Sequence, residues 1–313
     1  MTSLLNILKN LLEKETIHEI ASKLNVASGT VKRWVELENV PTAYTFELMR
    51  IADMPIDYSR YSFKEKDQFY TSSTAAKYCY EKAVEVIKLY GDDPEKYLYV
   101  EPSAGSGNFL EHLPLDRRVG IDIEPNNNEI ILGDYLSYSP PSEEKNIVVI
   151  GNPPFGLRGQ LALKFINHSS NFADYVCFIL PQLFESDGKG VPRKRIKDLN
   201  LVHSEKLNTD FSDPSGKKIK VECIFQVWSK NHVNSKYIIN KIDTSVIKIY
   251  SLSDGGTSST TRNKNMFYKC DIYLPSTCFG KENMRYYETF NELPRKKGYG
   301  VVFNKNKKEN IKK

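Results

Sequence analysis

The segment VVIGNPPFG, residues 148–156, ends an apolar run on an asparagine, follows it with two prolines and then offers a phenylalanine. On a turn stiffened by Pro153 and Pro154, the Asn152 side-chain oxygen and the Pro153 carbonyl can accept two hydrogen bonds from a single amino group. That suits the exocyclic amine of a purine or pyrimidine, which is a poor nucleophile because its lone pair is delocalised into the ring. Holding both hydrogens makes the nitrogen more tetrahedral, and the same acceptors stabilise the positive charge that develops as it attacks a methyl group. Phe155 adds a flat face on which the base can stack.

Upstream, VEPSAGSGNFL places Glu101 at the end of an apolar run, with Gly105 and Gly107 in a turn expected to open a helix. Glycines there let backbone N–H groups approach a ligand, and a helix N-terminus favours anionic or polar groups. The spacing is neither that of a Walker loop nor that of a dinucleotide fingerprint. Glu101 would repel a pyrophosphate but suits an ammonium group, and S-adenosylmethionine carries both an α-ammonium and a sulfonium. GIDIEP then offers Asp122 or Glu124 to the hydroxyls of a ribose, and GDY offers Asp134 to an adenine amino group. Three acidic strand ends in succession would line the carboxyl edge of an open sheet, where such folds bind ligands.

Positioning those groups requires parallel strands. LYVEPSAG, RVGIDIEP, NNEIILGDYL, NIVVIGNPPF and DYVCFILP read as five strands separated by helical or loop segments. LVHSEKL and KIKVECIFQVW flank the turn signal DPSG and read as a closing hairpin. The expected fold is α/β, a doubly wound Rossmann-like sheet ending in an antiparallel pair. Residues 1–60 read as a helical segment resembling a helix-turn-helix. Thr16 caps one helix, Ser28 starts the next, and Lys32 and Arg33 face away from the apolar side. IDYSRYSFKEKDQFY follows as a linker, 61–232 as the catalytic domain, and 233–313 as a small basic C-terminal segment suited to target recognition.

NPPF, with EPSAGSG, GIDIEP and GDY, resembles the S-adenosylmethionine-dependent amino-methyltransferases of DNA, in their N6-adenine branch. The N4-cytosine branch usually has serine at the position of Asn152. The resemblance spans about residues 66–230. It implies a class I methyltransferase sheet and the gamma order of motifs, as in bacterial type II modification enzymes. It also implies that Tyr70 and Thr71, in DQFYTSSTAAKYCYEKA, close over the methionine end of the cofactor. Ser103, Asn108, Ile123 and Tyr135 join the acids and glycines at the cofactor, with Asp122 preferred over Glu124 for the ribose. Phe211 stands where the family places an aromatic against the flipped base. The chain departs from the family in its helical N-terminal extension and its short C-terminal segment.

Charge is uneven. Residues 190–313 carry 25 Lys/Arg against 12 Asp/Glu, whereas residues 61–189 carry 12 against 19. Arg193, Lys194 and Arg195, in PRKRIK, and Lys217 and Lys218, in GKKIK, are candidate phosphate contacts, and RKK at 295–297 could add another. Double-stranded DNA is the expected partner, with base flipping, and a cognate restriction endonuclease a further one. Transfer or ribosomal RNA is the runner-up substrate. Methylation of a protein glutamine amide, or a non-catalytic helix-turn-helix regulator built on a methyltransferase scaffold, are the other readings. The five cysteines form no CxxC pair, so neither a disulfide framework nor a metal site is expected. No apolar run reaches membrane-spanning length and no signal-peptide pattern opens the chain, so an intracellular protein is expected: cytoplasmic in a prokaryote, or wherever its target DNA lies.

Overall fold

The structure is a computed structural model that describes residues 3–187, 191–213, 215–238, 246–258, 260–276, 283 and 285–304. The chain forms two compact units, Met1–Ile238 and Ile239–Lys313. The first opens with four short helices, α1 (Leu4–Leu12), α2 (Ile17–Lys23), α3 (Ser28–Glu36) and α4 (Thr45–Ile51). Thr16 and Glu19 form a capping box at the start of α2, each side chain bonding the other's backbone N–H. Asn25, at φ 55°, makes the tight turn into α3. Ile7, Leu8, Leu11, Ile20, Val31 and Leu48 bury the shared apolar face. Lys32 and Arg33 lie on the exposed side, as the helical spacing requires.

A two-residue strand β1 (Tyr70–Thr71) leads into α5 (Ser73–Leu89). The central sheet then takes β2 (Leu98–Glu101), β3 (Arg118–Asp122), β4 (Ile130–Leu132) and β5 (Ile147–Gly151). Helix α6 (Gln160–Ser169) crosses to β6 (Tyr175–Pro181), followed by β7 (Asn200–Leu207). β8 (Asp210–Ser212) and β9 (Lys218–Lys220) branch off before β10 (Cys223–Ser229) returns to the sheet. The seven-stranded order is β4-β3-β2-β5-β6-β10-β7. Neighbours are parallel up to β6, and β10 runs antiparallel to both β6 and β7.

Strands β2 and β5 are buried along their whole length, which is why they read as continuous rather than alternating apolar runs. Their side chains divide between two cores. Tyr99, Val148, Ile150 and Cys177 pack under α5, whereas Val100, Val149 and Phe178 pack under α6. The doubly wound α/β sheet with its antiparallel end is therefore as expected.

Three local features differ from the expectation. The glycine turn after β2 opens no α-helix but a three-residue 3-10 turn, Leu110–His112. Leu110 and Leu113 are buried under α5, and Pro114 cannot continue a helix. The DPSG turn closes β8 on β9 rather than joining β7 to β10, and β8 pairs with β1 in a separate three-stranded sheet, β1-β8-β9. The stretch read as a linker packs against the carboxyl edge of the sheet instead of bridging free space.

The second unit is an antiparallel sheet, β11 (Ile247–Ser253), β12 (Ile272–Pro275) and β13 (Lys297–Phe303), in the order β11-β13-β12. Its core gathers Leu252, Phe267, Tyr273 and Phe290. Cys79, Cys177 and Cys223 are buried in the first unit, and burial raises all three thiols, Cys223 to about 12. Cys270 is half-buried, and Cys278 lies outside the described residues. Among the described residues, no helix is long and apolar enough to cross a membrane.

Candidate active site

The strand order reverses between β2 and β5, so the loops that leave their carboxyl ends flank the crevice where open α/β sheets take ligands. The two loops touch: Ser103 Oγ donates to the Asn152 backbone carbonyl at 3.0 Å. Two chambers adjoin there. The larger holds about 780 Å³ of empty space, its open mouth included, and Ser103, Gly105, Asp122, Ile123, Asp134 and Tyr135 line its floor. Tyr70, Asn152 and Pro154 also face it. The smaller is formed by Asn152, Pro153, Phe155 and Phe211, with Phe69 and Val221. Asn152 thus stands in the wall common to both. Phe211, carried by β8 opposite Thr71 of β1, is brought to the NPPF turn by the small second sheet.

Among the described residues, three side-chain oxygens at this edge are buried with no hydrogen-bond partner: Thr71 Oγ1, Glu101 Oε2 and Asn152 Oδ1. Such an atom costs on the order of 1–3 kcal/mol when nothing satisfies it, which makes a cluster of them informative. Burial pushes the Glu101 carboxyl well above the usual range, opposed by a hydrogen bond from the Leu110 backbone and reinforced by the charge of Asp122. The Asp122 carboxyl is also raised, again chiefly by burial. It accepts from the Gly105 N–H at 2.7 Å and the Glu124 N–H at 2.8 Å, so it fastens the glycine turn to the loop after β3.

Several of the expected residues have specific partners in the structure. Gly105 sits at φ 51°, and a Cβ there would stand 3.0 Å from the Tyr70 ring, so the turn needs glycine both for its conformation and for that close approach. Gly107 lies in the same turn, and Asn108 donates from Nδ2 to the Thr71 carbonyl at 2.6 Å, tying it to β1. The Tyr70 hydroxyl accepts from Gln68 and Asn126. Tyr135 commits its ring to the core, its hydroxyl 2.7 Å from Ser169 Oγ. Asp134 accepts from the Leu136 N–H and from Arg50 Nε at 3.3 Å.

Arg50 was not signalled by the sequence. The helical segment contributes Phe46, Arg50 and Tyr58 to the larger chamber, and Arg50 Nη1 is buried there without a partner. The α2–α3 turn is also tied to helix α6, Asn25 donating to Gln160 at its start. The former linker adds Lys66, paired with Glu124 at 2.5 Å, and Asp67, which accepts from the backbone N–H groups of Phe155 and Gly156. No local pattern marks these residues, because each acts on a partner far along the chain.

The basic candidates separate. Arg193 is given a structural role, its side chain 9% exposed, donating to Asp187 and to the Tyr237 carbonyl. Arg195 donates to Gln160 and is partly buried, which lowers its basicity. Lys194, Lys217 and Lys218 are exposed.

No protein-family model matches the sequence, and no curated protein matches it either. Solved structures give remote likenesses. One is a candidate RNA methyltransferase from Pyrococcus horikoshii, 16% identical over 52% of this chain and 86% of the other, with a TM-score of 0.39. Another is magnesium protoporphyrin IX methyltransferase from Synechocystis PCC 6803, 12% identical over 54% and 85%, TM-score 0.36. A third comes from a type I restriction-modification assembly, 13% identical over 72% and 61%, TM-score 0.35. The class I methyltransferase fold itself is carried by the strand order, with β10 reversed between β6 and β7.

Proposed function

We propose that this chain is a DNA adenine-N6 methyltransferase that uses S-adenosylmethionine. The observation that carries the reading is the buried, unpartnered Asn152 Oδ1 in the wall between two chambers, with Phe155 and Phe211 beside it. An amine donor arriving from the smaller chamber satisfies that oxygen. The larger chamber fits the cofactor. Of its lining residues, Asp122 offers a carboxylate to the ribose hydroxyls and Ile123 an apolar surface to adenine. The unpartnered Glu101 Oε2 and Thr71 Oγ1 belong to residues next in sequence to the lining Pro102 and Tyr70, an acceptor and a hydroxyl for the amino-acid end.

S-adenosylmethionine supplies an activated methyl group on a sulfonium. The chain orients the acceptor. Asn152 Oδ1 and the Pro153 carbonyl take the two amine hydrogens, turning the nitrogen lone pair toward the larger chamber, and Phe155 and Phe211 hold the base between them. With the cofactor held there, its sulfonium would give up the methyl group to the nitrogen and leave as a neutral thioether, and the surplus proton on nitrogen would pass to solvent. Asn152 and Pro153 stabilise the charge on nitrogen throughout. Among the described residues no cysteine lines either chamber, so transfer is direct rather than through a covalent enzyme adduct. An adenine within a duplex cannot reach the smaller chamber while stacked, so it must flip out. The net positive charge of residues 190–313 favours a nucleic acid over a protein amide as substrate.

The test is mass spectrometry of nucleosides after the protein and S-adenosylmethionine are incubated with unmethylated duplex DNA and, in parallel, with unmodified transfer and ribosomal RNA. N6-methyladenine is expected in DNA. Asn152→Ala should lower its formation by about 100-fold or more while calorimetric affinity for the cofactor stays within about twofold. Methylated purine only in RNA would move the activity to that substrate. No product on any substrate would overturn the reading.

A further inference from the structure

Asp67 lies in the stretch that composition marks as a linker, yet it borders both chambers. Its Oδ2 accepts two backbone hydrogen bonds, from the Phe155 N–H at 2.5 Å and the Gly156 N–H at 2.8 Å. These are the amides immediately after Pro153 and Pro154, and neither proline has an N–H to offer, so Asp67 takes the first two donors the NPPFG turn possesses beyond its asparagine. Gly156 stands at φ 66°, and a Cβ there would come within 2.7 Å of Leu161 Cβ, so the turn enters α6 through a conformation that needs anchoring. On the other side, Asp67 is itself held. Its φ is 55°, the neighbouring Gln68 N–H bonds the Phe63 carbonyl at 2.9 Å, and Lys66 pairs with Glu124.

We infer that Asp67 is a positioning residue for methyl transfer: its carboxylate fixes the NPPF turn so that Asn152 Oδ1 and the Pro153 carbonyl converge on one amino group. The inference rests on the amino-methyltransferase reading. Asp67 touches neither reactant in this role. It acts through the backbone of Phe155 and Gly156, and the adjacent Lys66–Glu124 pair ties the same strap to the ribose side of the larger chamber. Cofactor site and acceptor turn are thereby braced by two consecutive residues.

Two measurements on the full-length chain test this. The first needs no substrate. In Asp67→Ala, hydrogen exchange at the Phe155 and Gly156 amides should quicken by about tenfold or more, since each loses a charge-assisted bond, while amides of β2 and β5 keep wild-type protection. Unchanged exchange at 155–156 would overturn the inference, whatever the enzyme's activity. The second is kinetic, on the nucleic acid the wild type methylates. Asp67→Ala should lower kcat by roughly 100-fold with cofactor affinity within about threefold, and Asp67→Asn, which keeps one acceptor oxygen, should recover part of that loss. A rate equal to wild type in Asp67→Ala would sink the positioning role while leaving the methyltransferase reading intact. A wild type inactive on all substrates would instead overturn that reading, and the exchange experiment would still report whether Asp67 holds the turn.

Discussion

Glu101 is 2% exposed, its Oε2 has no partner, and burial raises its carboxyl well above the ordinary value of 4.5. In the unfolded chain it ionises near that ordinary value. Between the two, the native state holds a proton that the unfolded state has released. The stability Glu101 contributes is therefore full below about pH 4.5 and is lost as pH rises through the raised native value. Glu101→Gln, which cannot ionise, should remove that dependence. We expect the melting temperature of the wild type to fall relative to Glu101→Gln as pH rises from about 4.5 through the raised native value. Scanning calorimetry of both proteins across that range checks it. A gap that does not change with pH would mean the carboxyl keeps one protonation state throughout. Residues such as Glu101 and Asn152 were legible in the sequence because their chemistry is local: an acid before glycines, an amide before prolines. Their buried, unsatisfied atoms were not legible, since burial is set by strands and helices from elsewhere.

At the scale of elements, the strands were legible from continuous apolar runs, whereas the N-terminal helices were legible as helices and not as a wall of the site. The Arg50–Asp134 bond spans 84 residues and the Asp67–Phe155 bond spans 88, so neither leaves a trace in spacing. Conversely, the helix expected after the glycine turn is absent because Pro114 and the burial of Leu110 and Leu113 leave room only for a 3-10 turn. Polar groups at that edge are thus met by backbone amides and side chains rather than by a helix dipole. Helix α4 supplies one of them. Arg50 orients Asp134, bonds Tyr58 at 3.2 Å, and keeps Nη1 unpartnered at the larger chamber. An acceptor atom of the adenosyl group would satisfy it. Arg50→Ala should therefore weaken cofactor affinity by about tenfold, the equivalent of one charge-assisted bond. Arg50→Lys should recover little, because a point charge does not replace the guanidinium fork. Calorimetry with S-adenosylmethionine decides this, and unchanged affinity would confine Arg50 to a structural tie.

For the whole molecule, the charge follows the division into units. Ile239–Lys313 carries 15 Lys/Arg against 7 Asp/Glu, net +8, whereas Met1–Ile238 carries 29 against 32, net −3. The unit that holds both chambers is thus, taken whole, repelled by a polyanion, and its exposed candidates Lys194, Lys217 and Lys218 act against that background. On the proposed DNA reading, long-range attraction to the duplex would then come chiefly from the second unit. Removing residues 239–313 should leave cofactor affinity within about twofold, since the chambers are lined by residues of the first unit alone. Affinity for duplex DNA should fall, and the slope of log affinity against log salt should flatten by about 0.9 for each phosphate that is no longer neutralised. Fluorescence anisotropy with labelled duplex over a salt series measures both. Charge-neutralising substitutions at Lys217 and Lys218 in the full chain provide the contrast, because they release at most two phosphates and should change the slope by no more than about 1.8. If the truncated chain kept the full slope, the phosphate-binding residues would belong to the first unit, and the basic second unit would serve something other than DNA attraction.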